Sequence, residues 1–133
     1  YKNFDLSIFI RGVQGSKIFA NSLLNLGSWA YITGANVTED ALTNGFVKKP
    51  NISTYWLQDG SFARLENVTL GYTFNHIKSM HKLRIYAVGR NLLLLTNYEG
   101  IDPEVNVEGK QRFIDLSYYP KTRSFTIGLD LSF

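Results

Sequence analysis

Hydrophobic and polar residues alternate with a period of two along four stretches of this chain. Successive side chains of a strand point to opposite faces, so this period marks β-strands with one apolar face. In the first stretch Phe4, Leu6, Ile8 and Ile10 share a face. In the second, Val68, Leu70, Tyr72 and Phe74 lie opposite Asn67, Thr69, Gly71 and Thr73. The third sets Leu83, Ile85 and Ala87 against Arg84, Tyr86 and Val88, and then breaks into a run of Leu from Leu92 to Leu95. The fourth is the cleanest: Phe125, Ile127, Leu129, Leu131 and Phe133 oppose Thr126, Gly128, Asp130 and Ser132. The pattern predicts strands over 3–12, 62–75, 82–96 and 122–133.

Alternation of this kind suits two all-β architectures. A soluble β-sandwich buries the apolar face against a second sheet. A transmembrane barrel turns it to lipid. Strand length favours the barrel: ordinary strands peak near 5–6 residues, whereas about twelve residues tilted near 45° span about 28 Å, the depth of a bilayer core. Connection lengths favour it too. Residues 75–81 form a short turn, and residues 13–61 and 97–121 form long connections. Outer-membrane barrels alternate short periplasmic turns with long extracellular loops. Within the first long connection, Thr38 followed by Glu39 and Asp40 reads as a helix start, and Gly45 as its stop. A second short helix is expected near 21–26.

Composition narrows the function classes. The absence of cysteine excludes a disulfide scaffold, a zinc ribbon and a thiol nucleophile. A net charge of +3, with Lys and Arg spread along the chain, does not make a nucleic-acid surface. No apolar run is long enough for a transmembrane helix, which leaves barrel strands untouched. The chain starts at Tyr1, close to a strand, and reads as part of something longer. His76 and His81 fall in the expected turn without nearby ligands, and no metal site is expected there. Asp102, Glu104 and Asn106 alternate like calcium ligands, but Val107 stands where that loop needs Gly and Phe113 where it needs Glu. Nucleotide-binding and nucleophile-elbow motifs are missing, and no triad is suggested. The sequence therefore predicts no enzyme and no cofactor. Trp29, Tyr55 and Trp56 in the first long connection are the candidate ligand contacts, since exposed loop aromatics stack on sugars or peptide side chains. Tyr72 and Phe74 suit one aromatic girdle of a barrel, and Tyr98, Tyr118 and Tyr119 the opposite rim.

Two sets of residues carry a family resemblance. Thr126, Gly128, Leu131 and Phe133 fit the assembly signal of outer-membrane proteins: a polar residue, a Gly two later, then spaced hydrophobic residues ending in an aromatic. The assembly machinery reads such a strand by edge pairing. Asp59-Gly60-Ser61, Arg64-Leu65 and Asn67-Val68-Thr69-Leu70-Gly71-Tyr72 resemble a segment of SusC/RagA-type TonB-linked outer-membrane transporters. So do Gly100-Ile101-Asp102-Pro103-Glu104-Val105, the Tyr119-Pro120 pair and Arg123-Ser124-Phe125-Thr126. The resemblance covers nearly the whole chain and implies the last four antiparallel strands of a larger transmembrane barrel of about 22 strands. It implies import of glycan fragments or peptides across the outer membrane of a Gram-negative bacterium. It also implies a SusD-like surface lipoprotein as partner, the TonB complex acting through an N-terminal region absent here, and the barrel assembly machinery. A soluble carbohydrate-binding β-sandwich and a siderophore-receptor barrel are the alternatives.

Overall fold

The computed structural model describes residues 2–77, 80–105, 112–116 and 119–133, with 76, 77 and 80 by backbone alone. The described residues form mostly antiparallel sheet with little helix, in two compact units. The first unit comprises residues 1–12, 63–95 and 121–133, and the second residues 13–62 and 96–120.

The first unit is a sheet of β1 (Phe4–Val13), β4 (Phe62–Ile77), β5 (Met80–Thr96) and β6 (Ser124–Ser132), in the order β1-β4-β5-β6. β1 runs against β4: the Thr73 N–H donates to the Asn3 carbonyl at 2.9 Å at one end, and Arg11 pairs with Glu66 at 2.8 Å at the other. β5 and β6 are antiparallel, with Ile85 opposite Leu129 and Ala87 opposite Ile127. β4 and β5 extend into residues expected from the sequence to be turn, because hairpin pairing satisfies backbone groups that a turn would leave to water. Residues 78–79 lie outside the described residues. Transmembrane strands need about 9–11 residues, and β1 has 10 and β6 has 9.

One face of this sheet is apolar from edge to edge. The rings of Phe4 and Tyr72 meet at 4.6 Å, as do those of Tyr72 and Phe74. Leu70, Ile85, Ala87 and Ile127 line the same shallow depression. Most of this face is open: Leu6, Ile8, Ile10, Leu70, Leu129 and Leu131 are exposed, and Ile127 is 81% exposed. A sandwich would bury Phe125, Ile127, Leu129 and Leu131 against a second sheet; within this chain they stay uncovered. Each such side chain left in water forgoes about 1.5–3 kcal/mol. A row of ten or so therefore outweighs the net stability of about 5–15 kcal/mol typical of a domain. Such a face needs an apolar surrounding.

The broken alternation in the third stretch has a local cause. Asn91, inside β5, adopts the left-handed conformation with φ 52°. Its side-chain amide donates to the Thr122 carbonyl at 3.0 Å. Regular pairing with β6 ends one residue earlier, at Arg90 opposite Ser124. Leu92 then folds onto the face of Gly89, where a Cβ would lie 2.9 Å from it. Beyond Asn91, Leu93 and Leu95 are exposed, while Leu92 and Leu94 are half-buried.

The second unit holds a short antiparallel ladder of β2 (Lys17–Phe19) and β3 (Leu57–Asp59), with helix α1 (Asn21–Leu26). Its core is Ile18, Ala20, Tyr98 and Val105, with Leu23 against them. Ser28 and Thr38 precede short 3-10 turns, Trp29–Tyr31 and Glu39–Leu42. The expected start at Thr38 thus gives one 3-10 turn rather than a longer helix, and the Thr38 side chain makes no cap bond. Gly45 takes a φ of 77°, the left-handed region glycine tolerates.

Candidate functional site

Tyr55 and Trp56, expected as ligand contacts, sit together on the 3-10 turn Thr54–Trp56. Their rings meet edge to face at 4.9 Å, and Phe46 joins them at 5.3 Å from Tyr55 and 5.5 Å from Trp56. The three play different parts. Tyr55 is 60% exposed, whereas Trp56 is 3% exposed and its indole N–H donates to the Asn51 carbonyl at 3.3 Å. Trp56 therefore props the segment before it and offers Tyr55 a rigid backing. Trp29 is 41% exposed and outside this ring cluster, although its backbone N–H donates to the Phe46 carbonyl at 3.0 Å.

Beside the cluster runs an open groove of about 580 Å³. Phe46, Lys48, Lys49, Asn51, Ser53 and Trp56 are its principal lining residues. The segment that forms its wall is fastened by buried polar groups. The Ser28 hydroxyl, fully buried, lies 3.0 Å from both the Phe46 and the Lys48 carbonyl oxygens and accepts from the Ala30 N–H. Asn44 donates to the Gly27 carbonyl at 2.7 Å and to Asp40 at 2.9 Å, and accepts from the Phe46 N–H. Lys48 and Lys49 had only their adjacency to mark them in sequence; nothing in the spacing placed them beside Trp56.

Elsewhere in the second unit the Asp59-Gly60-Ser61 motif proves to be a fastening. Asp59 accepts from the Ser61 hydroxyl at 2.7 Å and from its N–H at 3.1 Å. These two bonds, the hydroxyl first, hold the Asp59 carboxyl below its usual pKa. Gly60 is required because a Cβ would lie 2.6 Å from Ile18. Tyr98, expected at an aromatic rim, is instead buried, and its hydroxyl donates to Asp115 at 2.7 Å. Burial, then the neighbouring carboxylate, pushes the phenol well above its usual pKa. Asp102 Oδ1 accepts from the Glu104 N–H at 2.9 Å, an Asx-type turn. Asn106, Val107 and Tyr118 lie outside the described residues.

The polar face of the four-stranded sheet carries a charged cluster. Arg84 grips Asp5 with two bonds, of 3.0 and 2.7 Å, and reaches Asp130 at 3.1 Å. Asp5 is on β1 and Arg84 on β5, so the pair passes over β4 at Gly71. A Cβ there would collide with the Asp5 carboxylate and lie 2.8 Å from Arg84. Gly128 plays a similar part: it stands opposite Tyr86, whose ring occupies the space its side chain would need. Thr126, Leu131 and Phe133 are exposed, with Thr126 on the polar face and Leu131 on the apolar one.

No family model matches the chain. Along its whole length it is 36% identical to TonB-dependent receptor P3 of Formosa agariphila, of which it covers 15%. It is 30% identical to TonB-dependent receptor SusC of Bacteroides thetaiotaomicron, of which it covers 14%. Among solved structures it resembles the RagAB peptide importer in its open-open state, with a TM-score of 0.79 at 24% identity, covering 98% of this chain and 16% of the other. The closed-closed state of that importer gives a TM-score of 0.71 at 23% identity, covering 100% of this chain and 16% of the other. At such identity the structural likeness speaks for the fold alone.

Proposed function

Since the chain belongs to the SusC/RagA-type TonB-dependent receptors, of whose length it spans about 15%, we propose that its sheet is part of the wall of a larger outer-membrane barrel. That barrel, of about 22 strands, works as a TonB-dependent importer of glycan fragments or peptides. Its long connections are read as extracellular loops, and a SusD-like surface lipoprotein is the partner that covers them. The curated relatives are receptors by name and not enzymes.

The observation that carries this reading is the exposed apolar face of β1, β4, β5 and β6, backed by a polar face with the Asp5–Arg84–Asp130 cluster. Lipid outside and water or protein inside is the environment such a two-sided wall fits. Both sheet edges, β1 and β6, lack a further strand among the described residues. Open edges are not tolerated in lipid, so they call for continuation of the sheet. Within β6, Thr126, Gly128, Leu131 and Phe133 are proposed to serve as the strand that the barrel assembly machinery recognises.

Membrane flotation of the full-length protein tests this. It should float with the outer-membrane fraction, require detergent for extraction and migrate faster on a gel unheated than boiled. Recovery as a soluble periplasmic species would sink the reading.

A further inference from the structure

We infer that the groove beside Tyr55 and Trp56 binds an acidic oligosaccharide, one carrying carboxylate or sulfate groups. The inference deepens the proposed importer function and rests on it.

Charge is the first ground. Lys48 and Lys49 line the groove, and among the described residues no carboxylate does. Asp40, the acidic residue shortly before this segment, is bonded to the Asn44 amide and is not part of the lining. A charge-assisted hydrogen bond from an ammonium is about twice as strong as a neutral one, so an anion gains most here.

The second ground is the mixture of the remaining groups. Asn51 and Ser53 supply amide and hydroxyl groups of the kind that pair with sugar hydroxyls. Tyr55 stands beside the groove rather than in its lining; its exposed ring, packed on Phe46 and Trp56, which do line it, offers a flat apolar surface suited to the C–H face of a sugar ring. An acidic peptide would use the lysines but has no comparable need for that ring.

Preorganisation is the third. Ser28 and Asn44 tie the groove wall by its carbonyl and amide groups, and Trp56 ties Asn51. A wall already fastened pays little ordering entropy when it binds.

The test is calorimetric titration of the full-length receptor in detergent with four probes: trigalacturonate, a sulfated trisaccharide, neutral maltotriose and hexaglutamate. Trigalacturonate or the sulfated sugar should bind at least about tenfold more tightly than maltotriose, a factor of ten being one step of binding free energy. Binding should weaken in about 0.5 M salt relative to 0.05 M. The K48Q/K49Q variant should lose about tenfold for the acidic sugars while leaving maltotriose unchanged, and Tyr55→Ala should also weaken them. Preference for hexaglutamate with no effect of Tyr55→Ala makes the occupant an acidic peptide and overturns the proposal. Equal binding of maltotriose, or no binding by any probe, overturns it as well. Flotation of the same preparation separates this failure from that of the importer reading: a receptor that floats yet ignores acidic sugars loses only the ligand assignment.

Discussion

Tyr98 shows how a residue that reads in sequence as a rim aromatic can matter in a way its position conceals. Its hydroxyl is enclosed with Asp115, and ionisation is opposed by burial and by the carboxylate. The folded pKa lies above the unfolded value, so the contribution is fully present below about pH 10 and is lost as pH rises toward the folded value. In that window the unfolded chain sheds a proton that the folded chain keeps, and stability falls by about 1.4 kcal/mol per pH unit. Limited proteolysis between about pH 9 and 12 should show the second unit opening as the pH rises. Tyr98→Phe should remove that step while costing about 1 kcal/mol at neutral pH through the lost hydrogen bond. An unchanged alkaline step in the variant would assign it to other tyrosines.

At the scale of an element, β6 was the most legible part of the sequence, yet its glycine was only half understood. In sequence Gly128 is only the glycine of the assembly signal, and a glycine inside a strand marks a bend or a close backbone approach. The structure adds a neighbour: the Tyr86 ring lies over it from β5. Gly128→Ala should cost about 1–3 kcal/mol by overpacking against that ring. In the double variant with Tyr86→Ala part of the penalty should disappear, giving a coupling of about 0.5–3 kcal/mol in a urea-unfolding cycle in micelles. Strict additivity would mean that Gly128 does not serve Tyr86. The same reasoning explains Gly71, which the family segment marked but could not motivate: it clears the path of the Asp5–Arg84 pair across β4. Likewise the Leu run of β5 begins where Asn91 takes a left-handed φ and the regular pairing with β6 has ended.

For the whole molecule, the two faces of the sheet should answer differently to the same substitution. Ile127 and Thr126 are neighbours in β6 and both are exposed in this chain. If lipid covers the apolar face, Ile127→Lys should destabilise the full-length barrel by about 2–4 kcal/mol near the bilayer midplane, and Thr126→Lys far less. In a water-soluble sheet whose two faces stay as open as they are here, the two variants would behave alike. Thermal or urea unfolding of both in micelles distinguishes the cases.

The sequence alone determined the strands and their faces. A period of two is imposed by the pleat, so Phe4 to Ile10 and Phe125 to Leu131 disclose their common side without any tertiary contact. It also carried the likeness to SusC/RagA-type receptors, through Asp59-Gly60-Ser61 and the segment from Asn67 to Tyr72. Only the tertiary structure decided which aromatics are presented and which are enclosed. Trp56 is covered and Tyr55 open although they are adjacent, because exposure depends on what the turn packs against. It also decided that Lys48 and Trp56 line one groove and that Arg84 meets Asp5, 79 positions away. Local patterning constrains a residue's own direction; contacts between distant residues depend on how the strands pair and the loops fold.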